Sequence, residues 1–183
     1  RRWSRSSKPL WNRIWMKSNI ILIGMPGSGK TTVGRELSRR TGMPQADGDN
    51  IIEDAEGRKL QDILDSEGIE YFKSMEGRIL ANLTYERYVI SPGGSAVYYP
   101  EAMAHLSEIG DIVYLNVKFP EIRRRVTNLT SRGIVFKPGQ TFEDLYNERT
   151  PLYEKYAEIN LKTEGMTAKE TADKILALLG YTK

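Results

Sequence analysis

The sequence predicts an α/β fold in which a five-stranded parallel sheet is covered by helices on both faces, and three observations predict it. Apolar runs of strand length alternate with helix-length amphipathic stretches. A glycine-rich turn joins the first of these runs to the first helix. The length of 183 residues suits one compact domain and leaves little room for a second.

The first strand is read at Ile20 to Ile23, a continuous apolar run that suits a strand buried on both faces. The run breaks at Gly24, and a helix follows from about Gly29 to Arg40 with Val33 and Leu37 on one face and Gly42 as its stop. Met43 to Ala46 is a weaker second strand. Beyond Asp47-Gly48-Asp49, helical patterns over 51–55, 60–66 and 69–83, separated by Gly57 and Gly68, form a helical insertion. Tyr88 to Ser91 is the third strand and runs into Pro92-Gly93-Gly94, while Ile112 to Leu115 is the fourth. Helices over 100–106, 120–127, 142–156 and 167–179, with Glu158 to Leu161 as the fifth strand, complete the alternation. Ligands of such sheets bind outside the carboxyl ends of the strands.

Composition excludes several kinds of chemistry. No apolar run approaches the roughly 18 residues of a membrane-spanning helix. With no cysteine there are no disulfides, thiolate nucleophiles or cysteine-ligated zinc, and with His105 as the single histidine a multi-histidine metal site is impossible. What remains is Asp, Glu, Lys, Arg, hydroxyls and backbone. A cysteine-free chain is compatible with a reducing cytosol, and a cytoplasmic location is expected. The formal charge is +3, yet Arg1, Arg2, Arg5, Lys8 and Arg13 put five positive and no negative charges in the first fifteen residues, which leaves residues 16–183 at −2. Nucleic acid is therefore not expected as a partner of that body. The leader also holds Trp3, Trp11 and Trp15, and Met16 follows it. It reads as an extension (1–15) outside the fold ahead of a start at Met16, or as a basic aromatic arm for a membrane surface or nucleic acid. Its lack of helical periodicity and of a secretory pattern favours the extension, with 16–183 as the single domain.

Gly24 to Thr31 fits G-x-x-x-x-G-K-[ST], and each fixed position has a physical reason. Glycines let consecutive backbone N–H groups turn inward, and the helix that follows offers its positive end to anionic oxygens. Gly27, Ser28, Gly29, Lys30, Thr31 and Thr32 are thus candidate nucleotide-binding residues, with Lys30 reaching the β- and γ-phosphates and Thr31 placing its hydroxyl on Mg²⁺. With glycine at roughly 7% of residues, the four fixed positions should coincide in well under about one in a hundred chains of this length. The fold is accordingly read as a three-layer P-loop NTPase fold. Asp47 and Asp49 follow a strand one residue apart, so that one can address a Mg²⁺-bound water and the other a substrate hydroxyl, unless the pair simply caps the next helix.

Added to these residues, Phe72-Lys73 with Glu76, Pro92-Gly93-Gly94-Ser95, Arg132 in a loop, and Asn147-Glu148-Arg149-Thr150-Pro151-Leu152-Tyr153 make the chain resemble the shikimate kinase family over Asn19 to Leu179. The resemblance implies transfer of the γ-phosphoryl group of ATP, with Mg²⁺, to a hydroxyl of a carboxylate-bearing acceptor, shikimate becoming shikimate 3-phosphate. It implies that Asp49 contacts the acceptor hydroxyls and accepts the proton, that Asp47 holds a metal-bound water, and that Lys73, Gly93, Gly94 and Arg149 bind the acceptor. Arg132 would close over the phosphates from a lid at about 128–141, Arg125 would lie against the adenine, Glu76 would orient the neighbouring cation, and the insertion at about 48–83 would bind the acceptor. The expected partner is a small hydroxy acid, not nucleic acid or a membrane, and the expected state is a monomer.

Two positions depart from the family, which carries Arg where this chain has Lys73 and Gly where it has Pro92. Lysine is a mobile point charge where arginine is a planar fork, so carboxylate binding would depend more on Arg149. Homoserine, which also pairs a carboxylate with a primary hydroxyl, is the alternative acceptor. A nucleotide-binding module without catalysis is the alternative from another class, and the joint presence of Lys30, Thr31, Asp47, Asp49, Arg132 and Arg149 argues against it. Arg123 and Arg124 read as a solvated helix face, Tyr98 and Tyr99 as packing in preference to shaping the acceptor pocket, and His105 as exposed.

Overall fold

The computed structural model describes residues 4–5, 17–126 and 136–182. In chain order the elements are β1 (Ser4–Arg5), β2 (Asn19–Ile23), α1 (Lys30–Thr41), β3 (Gln45–Asp47), α2 (Gly48–Glu56), α3 (Leu60–Ala81), β4 (Val89–Ser91), a 3₁₀ turn (Ala96–Tyr98), α4 (Pro100–Ile109), β5 (Gly110–Asn116), α5 (Phe119–Arg125), α6 (Phe142–Tyr156), β6 (Ile159–Lys162), α7 (Ala168–Leu178) and β7 (Tyr181–Thr182). Strands β3-β4-β2-β5-β6 form one parallel sheet in that order. All five strands read from the sequence are present. The stretch 1–15 contributes Ser4–Arg5, which pairs antiparallel with Tyr181–Thr182, a contact the sequence does not signal.

Successive strand residues point to opposite faces, and both faces of this sheet are covered. Ile20 and Leu22 pack with Val33, Leu37 and Ile175 under α1 and α7, while Ile21 and Ile23 pack with Leu106, Ile122 and Tyr153 on the other side. All four strand residues are essentially inaccessible, and each such side chain stabilises the fold by roughly 1.5–3 kcal/mol relative to exposure. That is why Ile-Ile-Leu-Ile shows no polar alternation. Buried Asn19 anchors the strand's start by donating to the Tyr85 carbonyl at 2.7 Å and the Ile109 carbonyl at 2.9 Å while accepting from the Tyr88 N–H at 2.9 Å.

The insertion has a small core of its own, built from Ile52, Ile63 and Met75. Gly68 breaks α3 with φ 81° and ψ 174°, a backbone shape open to glycine, so the separation of 60–66 from 69–83 read in the sequence is a real kink. His105 differs from its sequence reading. It is half-buried, and its Nε2 donates to the Leu83 carbonyl at 2.7 Å, which fixes the proton on that nitrogen.

The parallel register sets the carboxyl ends of β2, β3 and β4 side by side, with Asp47 opposite Ser91. The loop after β2 therefore faces both residues across one cleft.

Candidate active site

The cleft has a volume of about 780 Å³ and is walled by the 26–32 loop and helix start, by Asp47 to Asp49, by Ser91 to Gly94, and by Arg125 and Thr163. Gly29 caps α1 at φ 96° and has no side chain to satisfy the helix's first N–H groups, so among the described residues the positive end of α1 faces the cleft. Lys30 Nζ donates to the carbonyls of Gly24 at 2.8 Å and Met25 at 3.0 Å, while Thr31 and Thr32 are exposed on the first turn. Glycine is required where the opposite walls meet: a Cβ on Gly48 would stand 2.6 Å from the Gly93 nitrogen, so the start of α2 and the 92–94 turn approach backbone to backbone.

The acids of the cleft are poised unevenly. Burial pushes the Asp47 carboxyl up, opposed by the positive charges of Lys30 and Arg35. The Ser91 hydroxyl also bears on Asp47, yet neither Asp47 Oδ1 nor Ser91 Oγ makes a hydrogen bond of standard geometry. Asp49 is exposed towards the cleft, but the surrounding protein strips enough water from its carboxyl to push it up, and the charges of Asp47 and Glu53 add to this. Glu76 is 4% exposed and raised chiefly by burial; it accepts from Ser95 Oγ at 2.9 Å and Tyr99 Oη at 2.8 Å.

Asp47 Oδ1, Ser91 Oγ and Ser28 Oγ are buried oxygens with no hydrogen bond of standard geometry among the described residues, and such orphans are rare unless a ligand completes them. An all-oxygen donor set of this kind fits a hard cation such as Mg²⁺. Among the described residues no group of three His, Cys, Asp or Glu side chains forms a metal cage.

Arg149 is buried at 6% exposure and stands behind the 92–94 turn. Its Nη1 lies 3.0 Å from the point a Gly94 Cβ would occupy, and Tyr153 Oη, 3.3 Å from the same point, donates to the Gly94 carbonyl at 2.8 Å. Arg149 Nε donates to Tyr98 Oη at 3.2 Å, so the phenol makes a polar contact that a packing role does not require. Arg125 pairs with Glu121 at 2.7 Å, reaches the Gly27 carbonyl at 3.4 Å and lines the cleft. Arg124 is exposed and pairs with the same Glu121, whose carboxyl the two arginines hold down at about 2.

The structure therefore brings Gly27 to Thr32, Asp47, Asp49, Gly93, Gly94 and Arg125 into one cleft, with Arg149 behind its wall. It does not bring Lys73 there. Lys73 pairs with Glu70 at 2.9 Å and lines a neighbouring groove of about 610 Å³ beside Tyr98 and Tyr99. Arg132, with the 128–135 part of the lid read from the sequence, lies outside the described residues. The sequence does not mark Ser91 as a site residue, and it offers Tyr98 as packing in preference to a part in the acceptor pocket. Ser91 carries one signal, its place at a strand end next to a glycine turn, whereas the hydroxyl of Tyr98 carries none.

Among the described residues no helix is long and apolar enough to cross a membrane. A family model described as shikimate kinase matches residues 26–180. A shikimate kinase of Pasteurella multocida is 39% identical over 167 residues, covering 89% of this chain and 95% of the relative. The solved shikimate kinase of Acinetobacter baumannii in complex with shikimate superposes with a TM-score of 0.78 at 32% identity over 92% of this chain and 96% of that one, and the Aquifex aeolicus shikimate kinase with 0.71 at 31% identity over 88% and 95%. An adenylyl-sulfate (APS) kinase of Mycobacterium tuberculosis, 15% identical with a TM-score of 0.54, shares the fold alone. With the matched model covering most of the chain and the phosphate loop, Asp47-Gly48-Asp49 and the Gly93-Gly94 turn gathered around one cleft, this protein belongs to the shikimate kinase family.

Proposed function

We propose that the chain transfers the γ-phosphoryl group of ATP to a hydroxyl of shikimate, giving shikimate 3-phosphate. The observation that carries this reading is the single cleft in which the open N-terminus of α1 and Lys30 face Asp47, Asp49 and the Gly93-Gly94 turn. The likeness to a shikimate-bound relative supplies the acceptor. Backbone N–H groups of Gly27 to Thr32 bind phosphate oxygens, and Lys30 swings from the Gly24 and Met25 carbonyls to place its charge where negative charge moves during transfer. Asp49 orients the acceptor hydroxyl and takes its proton. Its raised affinity for a proton suits that task, because a base works best when its pKa approaches the working pH. Gly93 and Gly94 offer N–H groups to the acceptor, and Arg149 beside Gly94 holds the carboxylate. Arg125 borders the nucleotide end.

Mg²⁺, held by Thr31 and by Asp47 with Ser91 beside it, would supply charge neutralisation for the phosphates. Phosphoryl transfer asks mainly for in-line positioning and positive charge, and this chain's residues provide both. Because Lys73 faces Glu70, discrimination among hydroxy acids falls to Arg149 and the glycine turn. Product identification by phosphorus NMR, after incubation with ATP, Mg²⁺ and either shikimate or homoserine, tests the reading. Shikimate 3-phosphate is expected. Phosphohomoserine with no shikimate product would replace the acceptor, and ATP binding without either product would leave only a nucleotide-binding module.

A further inference from the structure

Tyr98 has no part in the chemistry above, yet its hydroxyl sits between two charged side chains of α6. It donates to Glu148 Oε1 at 2.5 Å and accepts from Arg149 Nε at 3.2 Å, while the Arg149 guanidinium carbon lies 5.2 Å from the centre of the Tyr98 ring. A phenol has one proton, so committing it to Glu148 leaves a lone pair aimed at the Arg149 N–H. Burial, and after it the bond to Glu148, holds the phenol above its ordinary pKa, so that proton stays in place at neutral pH. Glu148 also accepts through Oε2 from Lys137 Nζ at 2.8 Å and Gln140 Nε2 at 3.0 Å. These two residues end the 128–141 stretch that the sequence assigns to a lid.

The guanidinium is planar, so fixing Nε on Tyr98 fixes the directions of both Nη groups. Nε is the one Arg149 nitrogen with a hydrogen bond of standard geometry among the described residues, and Nη1 points towards Gly94. A ring that merely packed would need no hydroxyl, and this one is 37% exposed. We infer that Tyr98 is a positioning residue for the acceptor carboxylate: it holds the Arg149 fork with Nη1 beside Gly94 and, through Glu148, ties that orientation to residues 137–140. The inference rests on Arg149 being the carboxylate partner in the proposed function.

Steady-state kinetics, with shikimate and ATP varied in turn, test it on wild type, Tyr98→Phe, Glu148→Gln, Lys137→Ala and the Tyr98→Phe/Lys137→Ala double variant. Tyr98→Phe keeps the ring and removes only the hydroxyl, so KM for shikimate rises about three- to tenfold, as expected for one lost hydrogen bond, while kcat and KM for ATP stay within about twofold. Glu148→Gln keeps an oxygen for Tyr98 but cannot accept from Lys137 and Gln140 as a carboxylate does, and raises the same KM less. Lys137→Ala raises it by no more than about threefold, because the ion pair is exposed. In the Tyr98→Phe background Lys137→Ala adds nothing, because the relay is already cut. An unchanged shikimate KM in Tyr98→Phe overturns the inference. So does an equal rise in both KM values with a lowered melting temperature, the mark of a structural role. A wild-type chain that turns over no shikimate overturns the functional reading and the inference with it, whereas active wild type matched by Tyr98→Phe overturns the inference alone.

Discussion

Lys30 Nζ donates to the carbonyl of Gly24 at 2.8 Å, which holds its charge over the loop that opens the site. With the Met25 carbonyl at 3.0 Å, the contact partly satisfies a strongly hydrated cation inside the cleft. Removing the charge should leave the loop's backbone and α1 in place.

Lys30→Ala is accordingly expected to lower kcat by about 10²–10³-fold, the cost of losing one charge that stabilises a phosphoryl-transfer centre. Circular dichroism and melting temperature should stay near wild type. Near-normal turnover would contradict the role given to Lys30.

Asp49→Asn separates stability from activity. Burial, and after it Asp47 and Glu53, raise the Asp49 carboxyl above its usual value of 3.8, so the folded chain holds that proton more tightly than the unfolded chain does. Between the usual and the raised value the folded state binds more protons, and its contribution to stability therefore falls as pH rises. The asparagine variant escapes this penalty. Thermal melts should show it more stable than wild type at pH 7, with the gap closing as pH falls through the usual carboxylate range, while kcat drops by about 10²-fold or more with loss of the base. A variant less stable than wild type at pH 7 would contradict the cause assigned to the shift.

Gly48→Ala tests the approach of the two walls. Its Cβ would meet the Gly93 nitrogen at 2.6 Å, and backbone yields less readily than a side-chain tip. A cost of about 1–3 kcal/mol is expected, a fall in melting temperature of roughly 2–10 °C for a chain of this size, with a raised KM for the acceptor. Unchanged melting and kinetics would mean that the walls are not in contact in solution.

The order of strands and helices was legible because each buried strand is a short apolar run and each break carries a glycine, as at Gly24, Gly42, Gly57 and Gly68. The phosphate loop was legible because its spacing states its chemistry. The pairing of Ser4–Arg5 with Tyr181–Thr182 was not, since two-residue strands joined over almost the whole chain leave no periodicity to read. Ser91 escaped, and Tyr98 read as packing in preference to the acceptor pocket, for a different reason: the value of a hydroxyl depends on what stands opposite it, Asp47 in one case and the Glu148-Arg149 pair in the other. His105 has no neighbour in sequence that signals a partner, and the packing of α4 brings it to the Leu83 carbonyl.

Lys73 and Arg149 should differ in their effect on acceptor use. Lys73 is a half-exposed partner of Glu70 on the neighbouring groove, whereas Arg149 is buried beside Gly94. Lys73→Ala is expected to lower kcat/KM for shikimate by less than about tenfold, in keeping with the modest worth of exposed charges. A loss equal to that of Arg149→Lys would show that Lys73 reaches the acceptor.

Phosphoryl transfer to an Arg149-held shikimate is tested most directly by kcat/KM for shikimate at saturating ATP and Mg²⁺, measured for wild type and Arg149→Lys alongside KM for ATP. Replacing a rigid two-bond contact by a single mobile one should lower kcat/KM for shikimate by about 10²-fold, with KM for ATP within about twofold of wild type. Intact shikimate kinetics with weakened ATP binding in Arg149→Lys would contradict the assignment and move the Asn147 to Tyr153 motif to the nucleotide side of the cleft.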